Sequence, residues 1–255
     1  EKDDRLPKGL ERKTIDVLEM TKHLKEWQEV LSPNKYPSLY WNNHDMPRVV
    51  SRFGDDENYR DKSAKALATA MYLLRGVPVI LYGEEIGMKN LEINDIKTFQ
   101  SPEAQGQFKK LVSAGFTEEE ALKRIASINK EASRGAMQWD DSEFVGFSTR
   151  KSWIGENQES QYNVAVEEKD PQSILAFYQE LLSLKKTDLF SKGEVTFLEG
   201  TDSLICYKRH YRDEVALVVV NLKNLPAEQP AWLKDYQSWS LIIDSKDSLE
   251  GKEIA

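Results

Sequence analysis

The chain has 255 residues, enough to bury a sizeable core in one large domain or two smaller ones, and its ten Tyr, nine Phe and six Trp suit a folded protein rather than a disordered tail. Forty-three acidic against thirty-five basic residues give a net charge of −8, which argues against a basic phosphate-binding face and so against nucleic acid as a partner. A single cysteine, Cys206, excludes an internal disulfide framework and a multi-cysteine metal cluster and suits a reducing, cytoplasmic compartment, and no apolar run, the longest being stretches such as Ala216 to Val220, approaches a membrane span.

The chain opens on Glu1-Lys2-Asp3-Asp4-Arg5 without a Met, which points to a natural N-terminus further upstream. The first dozen residues are charged, carry Pro7 and Gly9, and read as a loop. From Thr14 to about Leu31, apolar residues at 15, 18, 20, 24, 27 and 30 follow helical spacing, and Ser32-Pro33-Asn34 stops the helix. Ser38 to Trp41 is a short strand candidate, followed at once by Asn42-Asn43-His44-Asp45. Asp61 to Arg75 reads as a helix closed by Gly76 at C′. Val77 to Tyr82 is a continuous apolar run with its proline near the start, the pattern of a buried parallel strand.

Helices are expected at about 102–113 and 117–129, irregular segments around Trp139 and Trp153, and a further amphipathic helix from Asp170 to Lys186. From about Phe190 the chain changes character. Val195–Leu198, Leu204–Tyr207, Val215–Leu222 and Trp239–Ile243 are β-type runs separated by charged turns, a small antiparallel sheet after an α/β region.

Chemistry concentrates in two polar clusters, each directly after a predicted strand, where parallel α/β folds bind ligands. In Asn42-Asn43-His44-Asp45-Met46-Pro47-Arg48, a carboxylate stands beside an imidazole with an arginine three residues on. Such a set can bind hydroxyls, stabilise a cation or hold a metal, or it can simply be a polar loop that caps the next element. Gly83-Glu84-Glu85-Ile86-Gly87 offers two carboxylates, or a tight turn entering a helix cap. His23 and His210 sit among charged residues and read as exposed. No P-loop, nucleophile triad or dinucleotide fingerprint is present.

Tyr40-Trp41-Asn42-Asn43-His44-Asp45-Met46-Pro47-Arg48-Val49-Val50-Ser51-Arg52-Phe53-Gly54-Asp55 resembles the fourth conserved region of the α-amylase superfamily, and within it the oligo-1,6-glucosidase group with dextran glucosidases and trehalose-6-phosphate hydrolases. Ser63–Thr69, Gly76–Met88, Met137-Gln138-Trp139-Asp140 and Gly146-Phe147-Ser148 continue the likeness in order and spacing. The resemblance implies an α/β chain: the C-terminal part of a (β/α)8 TIM barrel over residues 1–188, then a small antiparallel β-domain over 189–255 that continues past Ala255. The first helix would be the sixth of the barrel, Ser38–Trp41 the seventh strand and Val77–Tyr82 the eighth.

The resemblance further implies retaining hydrolysis of α-glucosides through a nucleophile and an acid/base. In the family these come after the fourth and fifth strands, and with the calcium loop they would lie upstream of Glu1, so that no cofactor is expected in this segment and the segment alone is expected to be inactive. Asp45 matches the third carboxylate, which stabilises the transition state, His44 matches a residue bonding sugar hydroxyls, and Arg48 is expected to orient carboxylates or hydroxyls. The family pattern Arg-Asp-Asn-x-Arg-Thr-Pro ahead of Met-Gln-Trp is here Lys130-Glu131-Ala132-Ser133-Arg134-Gly135-Ala136. Lys130 therefore stands where an arginine clamps the terminal glucose, keeping the charge without the bidentate fork.

Three substrates stay open: α-1,6-glucosides, α-1,4-glucosides and trehalose 6-phosphate. Arg5, Lys8, Arg12 and Lys13 are cations available for a phosphate, or a solvated charged loop. A reading of another class is a non-catalytic barrel related to the heavy chains of amino-acid transporters, although the Asn-His-Asp register favours an enzyme. The expected partners are an α-glucoside oligosaccharide, the N-terminal half of the barrel or a second copy of the segment covering its open edges, with neither nucleic acid nor membrane.

Overall fold

The structure, a computed structural model, describes residues 5–10, 14–31, 35–236, 243 and 253–254. In chain order the regular elements are α1 (Val17–Val30), β1 (Ser38–Leu39), α2 (Val49–Phe53), α3 (Arg60–Tyr72), β2 (Val77–Pro78), α4 (Pro102–Ser113), α5 (Glu118–Ile128), α6 (Val164–Glu167), α7 (Ile174–Lys185), α8 (Asp188–Ser191), β3 (Glu194–Phe197), β4 (Leu204–Tyr211), β5 (Glu214–Asn221), β6 (Ala227–Glu228) and β7 (Glu253–Ile254). No helix among the described residues is long and apolar enough to cross a membrane. The described chain forms two compact units, one of residues 1–14, 42–56 and 80–171, the other of 15–41, 57–79 and 172–255.

In the first unit, α4 and α5 form a hairpin whose ends are set locally. Ser101 caps α4 with Pro102 in the first turn. Thr117 and Glu120 close a capping box at α5, Thr117 Oγ1 accepting from the Glu120 amide (3.2 Å) and Glu120 Oε2 from the Thr117 amide (2.7 Å). Leu111, Phe116, Ala121 and Ile125 pack with Phe99, Leu91 and Ile154 into the core. Asn129 then ends α5 and caps a 3-10 turn, Lys130–Ser133. The loop 139–147 is held by hydrogen bonds from the Trp139 and Asp140 amides to the Val145 carbonyl.

In the second unit, α1 starts at Asp16, whose carboxylate accepts from the Glu19 amide at 2.9 Å. α3 packs on α7 and β5, with Tyr72 edge-on to Tyr178. β3, β4 and β5 form an antiparallel sheet with β4 in the centre, in register Glu194↔His210 and Leu204↔Asn221. β4 is buried continuously over Leu204–Tyr207, where the Tyr207 hydroxyl donates to the Thr69 carbonyl (3.0 Å). β6 and β7 pair antiparallel.

Several elements differ from the sequence expectation. The first two strands pair in parallel over only two residues each, Ser38↔Val77 and Leu39↔Pro78. The run from Val77 is not buried: Val77, Val79 and Tyr82 are 55, 49 and 43% exposed, because among the described residues only β1 pairs with it. Gly76 is not the C′ residue of α3, which ends at Tyr72 with Leu73 as C-cap. Gly76 has φ +148°, and a Cβ there would lie 2.6 Å from the Pro37 carbonyl oxygen, so the strand approach rather than the helix end demands glycine. α7 begins at Ile174 rather than Asp170, because the Ser173 hydroxyl caps it. Of the run Trp239–Ile243 only Ile243 is described, and it lies outside any strand.

Candidate functional site

The site lies wholly within the first unit, and its geometry starts from Asn42. This buried amide donates to Glu84 Oε2 (2.5 Å) and accepts from the Val49 amide (2.6 Å), tying the Asn42–Arg48 loop to the Gly83–Gly87 segment and to the start of α2. The latter segment is the tight turn: a 3-10 turn Glu84–Ile86 between glycines at φ +81° and +62°. Asn43 Oδ1 accepts from the Asp45 amide at 2.8 Å, an Asx turn that projects the next two side chains outward. His44 and Asp45 are accordingly exposed, 76 and 53% at the side chain, with Nε2 and Oδ2 3.2 Å apart.

The other Asp45 oxygen faces two cations. Lys130 Nζ lies 3.3 Å and Arg134 Nη2 3.0 Å from Oδ1, and Arg134 Nε donates to the His44 carbonyl at 2.7 Å. The Lys130 hydrogen bond, opposed by desolvation and aided by the charges of His44, Lys130 and Arg134, holds the Asp45 carboxyl below the usual carboxylate range. The structure thus brings together three of the four residues singled out in the sequence: His44, Asp45 and Lys130.

Arg48 stands apart from them. It is 1% exposed, its amide donates to Asn90 Oδ1 (2.8 Å), its Nη1 to the Tyr82 carbonyl, and its guanidinium stacks 4.8 Å from the Tyr82 ring. Burial lowers its proton affinity, opposed by Tyr82, Glu84 and Glu85. Its Nε and Nη2 have no hydrogen-bond partner among the described residues. Arg48 therefore holds the backbone at Tyr82 from within and presents nothing to solvent.

Sequence reasoning passed over Arg134, Tyr82 and the buried amides. The Tyr82 hydroxyl donates to the Gly135 carbonyl at 2.9 Å, fixing the backbone next to Arg134. Asn90 and Asn157 brace the surrounding loops, Asn90 Nδ2 donating to Ala126 and Asn157 Nδ2 to Asn90. The signal for Arg134 was present as the second arginine of the pattern in which Lys130 is the first. Among the cations considered for a phosphate, Arg5 lies over the Phe116 ring (4.3 Å) and donates to the Gly115 carbonyl. Lys8 lines a cavity of about 390 Å³ with Gly106, Gln107 and Lys110, and Arg12 and Lys13 lie outside the described residues. His23 and His210 are both exposed. Among the described residues no group of three or more His, Cys, Asp or Glu is placed to hold a metal ion.

Known proteins are similar to this chain in sequence and in fold. The chain is 37% identical over 212 residues to an oligo-1,6-glucosidase of Halalkalibacterium halodurans, covering 82% of this chain and 38% of that protein. It is 35% identical over 221 residues to a glucan 1,6-alpha-glucosidase of Streptococcus pneumoniae, covering 86% and 41%. The crystal structure of Bacillus licheniformis trehalose-6-phosphate hydrolase superposes with a TM-score of 0.81 at 35% identity, over 87% of this chain and 41% of that one. The chain thus spans about two fifths of the length of the curated relatives it matches. The family described as alpha amylase, catalytic domain, matches residues 4–193, which include the Asn42–Arg48 loop, the Gly83–Gly87 turn and the Lys130–Arg134 segment. The chain belongs to the alpha-amylase catalytic-domain family.

Proposed function

We propose that these residues are the C-terminal part of a retaining, exo-acting α-glucosidase that removes glucose from short α-1,6-linked oligosaccharides. Residues 1–188 supply the last strands and helices of a (β/α)8 barrel, with β1 and β2 as its seventh and eighth strands, and 189–255 the β-domain. The nucleophile and the acid/base belong to a part of the enzyme outside this segment, which alone does not cleave a glycoside and carries no cofactor. The exposed apolar residues at Val77 and Val79 support this reading, since a barrel strand with one neighbour needs a second.

The observation that carries the proposal is the Asp45 carboxylate, exposed yet held by Lys130 and Arg134 on one oxygen and His44 on the other. Departure of the leaving group gives the sugar ring oxocarbenium character, and a fixed carboxylate stabilises the positive charge that develops. The cations keep Asp45 ionised. Because its pKa is depressed, this contribution is present at neutral pH and is lost as pH falls through the lowered value. His44 and Lys130 bond the hydroxyls of the terminal glucose, and Arg48 maintains the turn beneath them.

The test is glucose release from isomaltose, maltose and trehalose 6-phosphate by the full-length enzyme and its Asp45→Asn variant. Isomaltose is expected to be preferred, and the variant to lose about 10³-fold or more in kcat with its fold intact. Preference for trehalose 6-phosphate would replace the substrate. Cleavage of none of the three, with sugar binding unchanged in the variant, would replace hydrolysis with a scaffold role.

A further inference from the structure

The geometry points to Arg134 as the residue that positions Asp45 and His44, anchored for that purpose by Tyr82; the inference rests on Asp45 being the carboxylate that stabilises the transition state. Both side chains of the pair are more than half exposed, so packing does not fix them. An unrestrained Asp side chain exchanges rotamers freely in water. Arg134 restrains it at two levels at once, its Nε on the His44 backbone carbonyl and its Nη2 on Asp45 Oδ1. One rigid plane thereby sets the backbone of the first residue against the carboxylate of the second.

Lys130 cannot do this. Its ammonium is a single point on a flexible stem, 3.3 Å from the same oxygen, and gives that oxygen a hydrogen bond and a charge without reaching a second acceptor on the loop. The division of labour also selects what is left for a sugar. With Oδ1 taken by two cations and Oδ2 shared with His44 Nε2 at 3.2 Å, the remaining lone pair of Oδ2 and the exposed rim of the imidazole form the edge that meets hydroxyls.

Arg134 is itself held in place. The carbonyl of the next residue, Gly135, accepts from the Tyr82 hydroxyl, the Arg134 amide donates to the Glu131 carbonyl (3.1 Å), and Tyr82 is gripped at ring and carbonyl by buried Arg48. Arg48 lies three residues after Asp45, so the contacts form a closed circuit: Asp45, Arg48, Tyr82, Gly135, Arg134 and back to Asp45. Placement errors of about 1 Å at a reacting centre can cost roughly 10²-fold in rate, which is why such a circuit matters to an exposed carboxylate.

The experiment compares Arg134→Gln, Arg134→Lys, Tyr82→Phe and Asp45→Asn in the full-length enzyme, reading kcat and KM on isomaltose, the urea midpoint, and the Asp45 carboxyl titration and side-chain couplings by NMR. Arg134→Gln is expected to lower kcat by about 10- to 100-fold with KM within about threefold, and to average the Asp45 couplings. Arg134→Lys should bring the titration midpoint back toward wild type while kcat stays low, since an ammonium cannot span both acceptors. Tyr82→Phe should lower kcat by a few-fold and leave the titration in place. Wild-type kcat in Arg134→Gln beside a dead Asp45→Asn would overturn the positioning role, and full rescue by Arg134→Lys would overturn the fork. An active Asp45→Asn would instead sink the underlying reading. The couplings would then still decide whether Arg134 fixes Asp45, and unchanged couplings in Arg134→Gln would show that it does not.

Discussion

Arg209 lies fully buried in the centre of β4 and gives its donors to four backbone carbonyls, those of Leu73, Phe190, Gly193 and Glu194. Arg134, with 29% of its side chain exposed, gives its donors to one backbone carbonyl and one carboxylate. Each arginine has a lysine companion. Lys185 joins Arg209 on the Phe190 carbonyl and also reaches Leu74 just past the end of α3, while Lys130 joins Arg134 on Asp45. The buried pair satisfies carbonyls left over at a helix end and a turn, and among the described residues meets no carboxylate. The partly exposed pair holds the carboxylate of the loop, Asp45. Burial and the kind of acceptor, rather than residue type, separate a cation that maintains the fold from one that, on the function proposed above, prepares a reaction.

The widest separation should come from removing the two arginines. Arg209→Met strands four carbonyls in the interior and is expected to cost about 3–5 kcal/mol, read as a lower urea midpoint. Arg134→Gln should cost less than about 1 kcal/mol, because a part-exposed ion pair contributes little to stability. Equal losses would erase the distinction between the two regions.

Protonation sharpens it further. Burial, and next to it the charge of Arg209, depress the Lys185 pKa from 10.5 to about 7. The unfolded chain therefore binds the extra proton across the window from about 7 to 10.5, and this group's contribution to stability rises with pH over that window and is fully unfavourable below it. Its slope approaches about 1.4 kcal/mol per pH unit. Lys185→Met should flatten the midpoint-versus-pH curve between pH 7 and 10 relative to wild type, whereas Lys130→Met should leave that curve alone and act on Asp45.

The sequence was most informative where signals were local. The expected helices at 102–113 and 117–129 match α4 and α5 within a residue at each end, because Ser101-Pro102 and Thr117 with Glu120 mark their starts in the chain itself. Periodicity places α1, which starts at Val17 behind the Asp16 cap rather than at Thr14, but not its buried face. Leu18, Trp27 and Val30 are exposed, while Gln28 is buried because it exchanges hydrogen bonds with Arg75, 47 positions away. The same limit applied at the site. His44 and Asp45 were legible as neighbours in a motif and Lys130 as a departure from one. Arg134 meets Asp45 across 89 positions, and no local pattern states that contact. Arg48 was grouped with the site because it is close in sequence, yet its side chain turns inward to Tyr82.

A small perturbation tests whether local capping and the exposed site are separable. Thr117 and Glu120 fix the start of α5, and the far end of that helix runs through Asn129 into the turn that carries Lys130. Thr117→Ala removes one acceptor for an otherwise unpaired helical amide and should cost about 1 kcal/mol, measured as a shift in the urea midpoint. Lys130 should not move with it. Asn129 Oδ1 accepts from the Glu131 amide (2.9 Å), and the Glu131 carboxylate accepts from the amides of Gln100 and Ser101, so the turn is held at its own end independently of the cap at Thr117. The Asp45 titration in Thr117→Ala should therefore overlay wild type. If it shifts upward instead, α5 transmits its register to Lys130, and the charge arrangement around Asp45 depends on helix geometry rather than on the circuit through Tyr82 and Arg134.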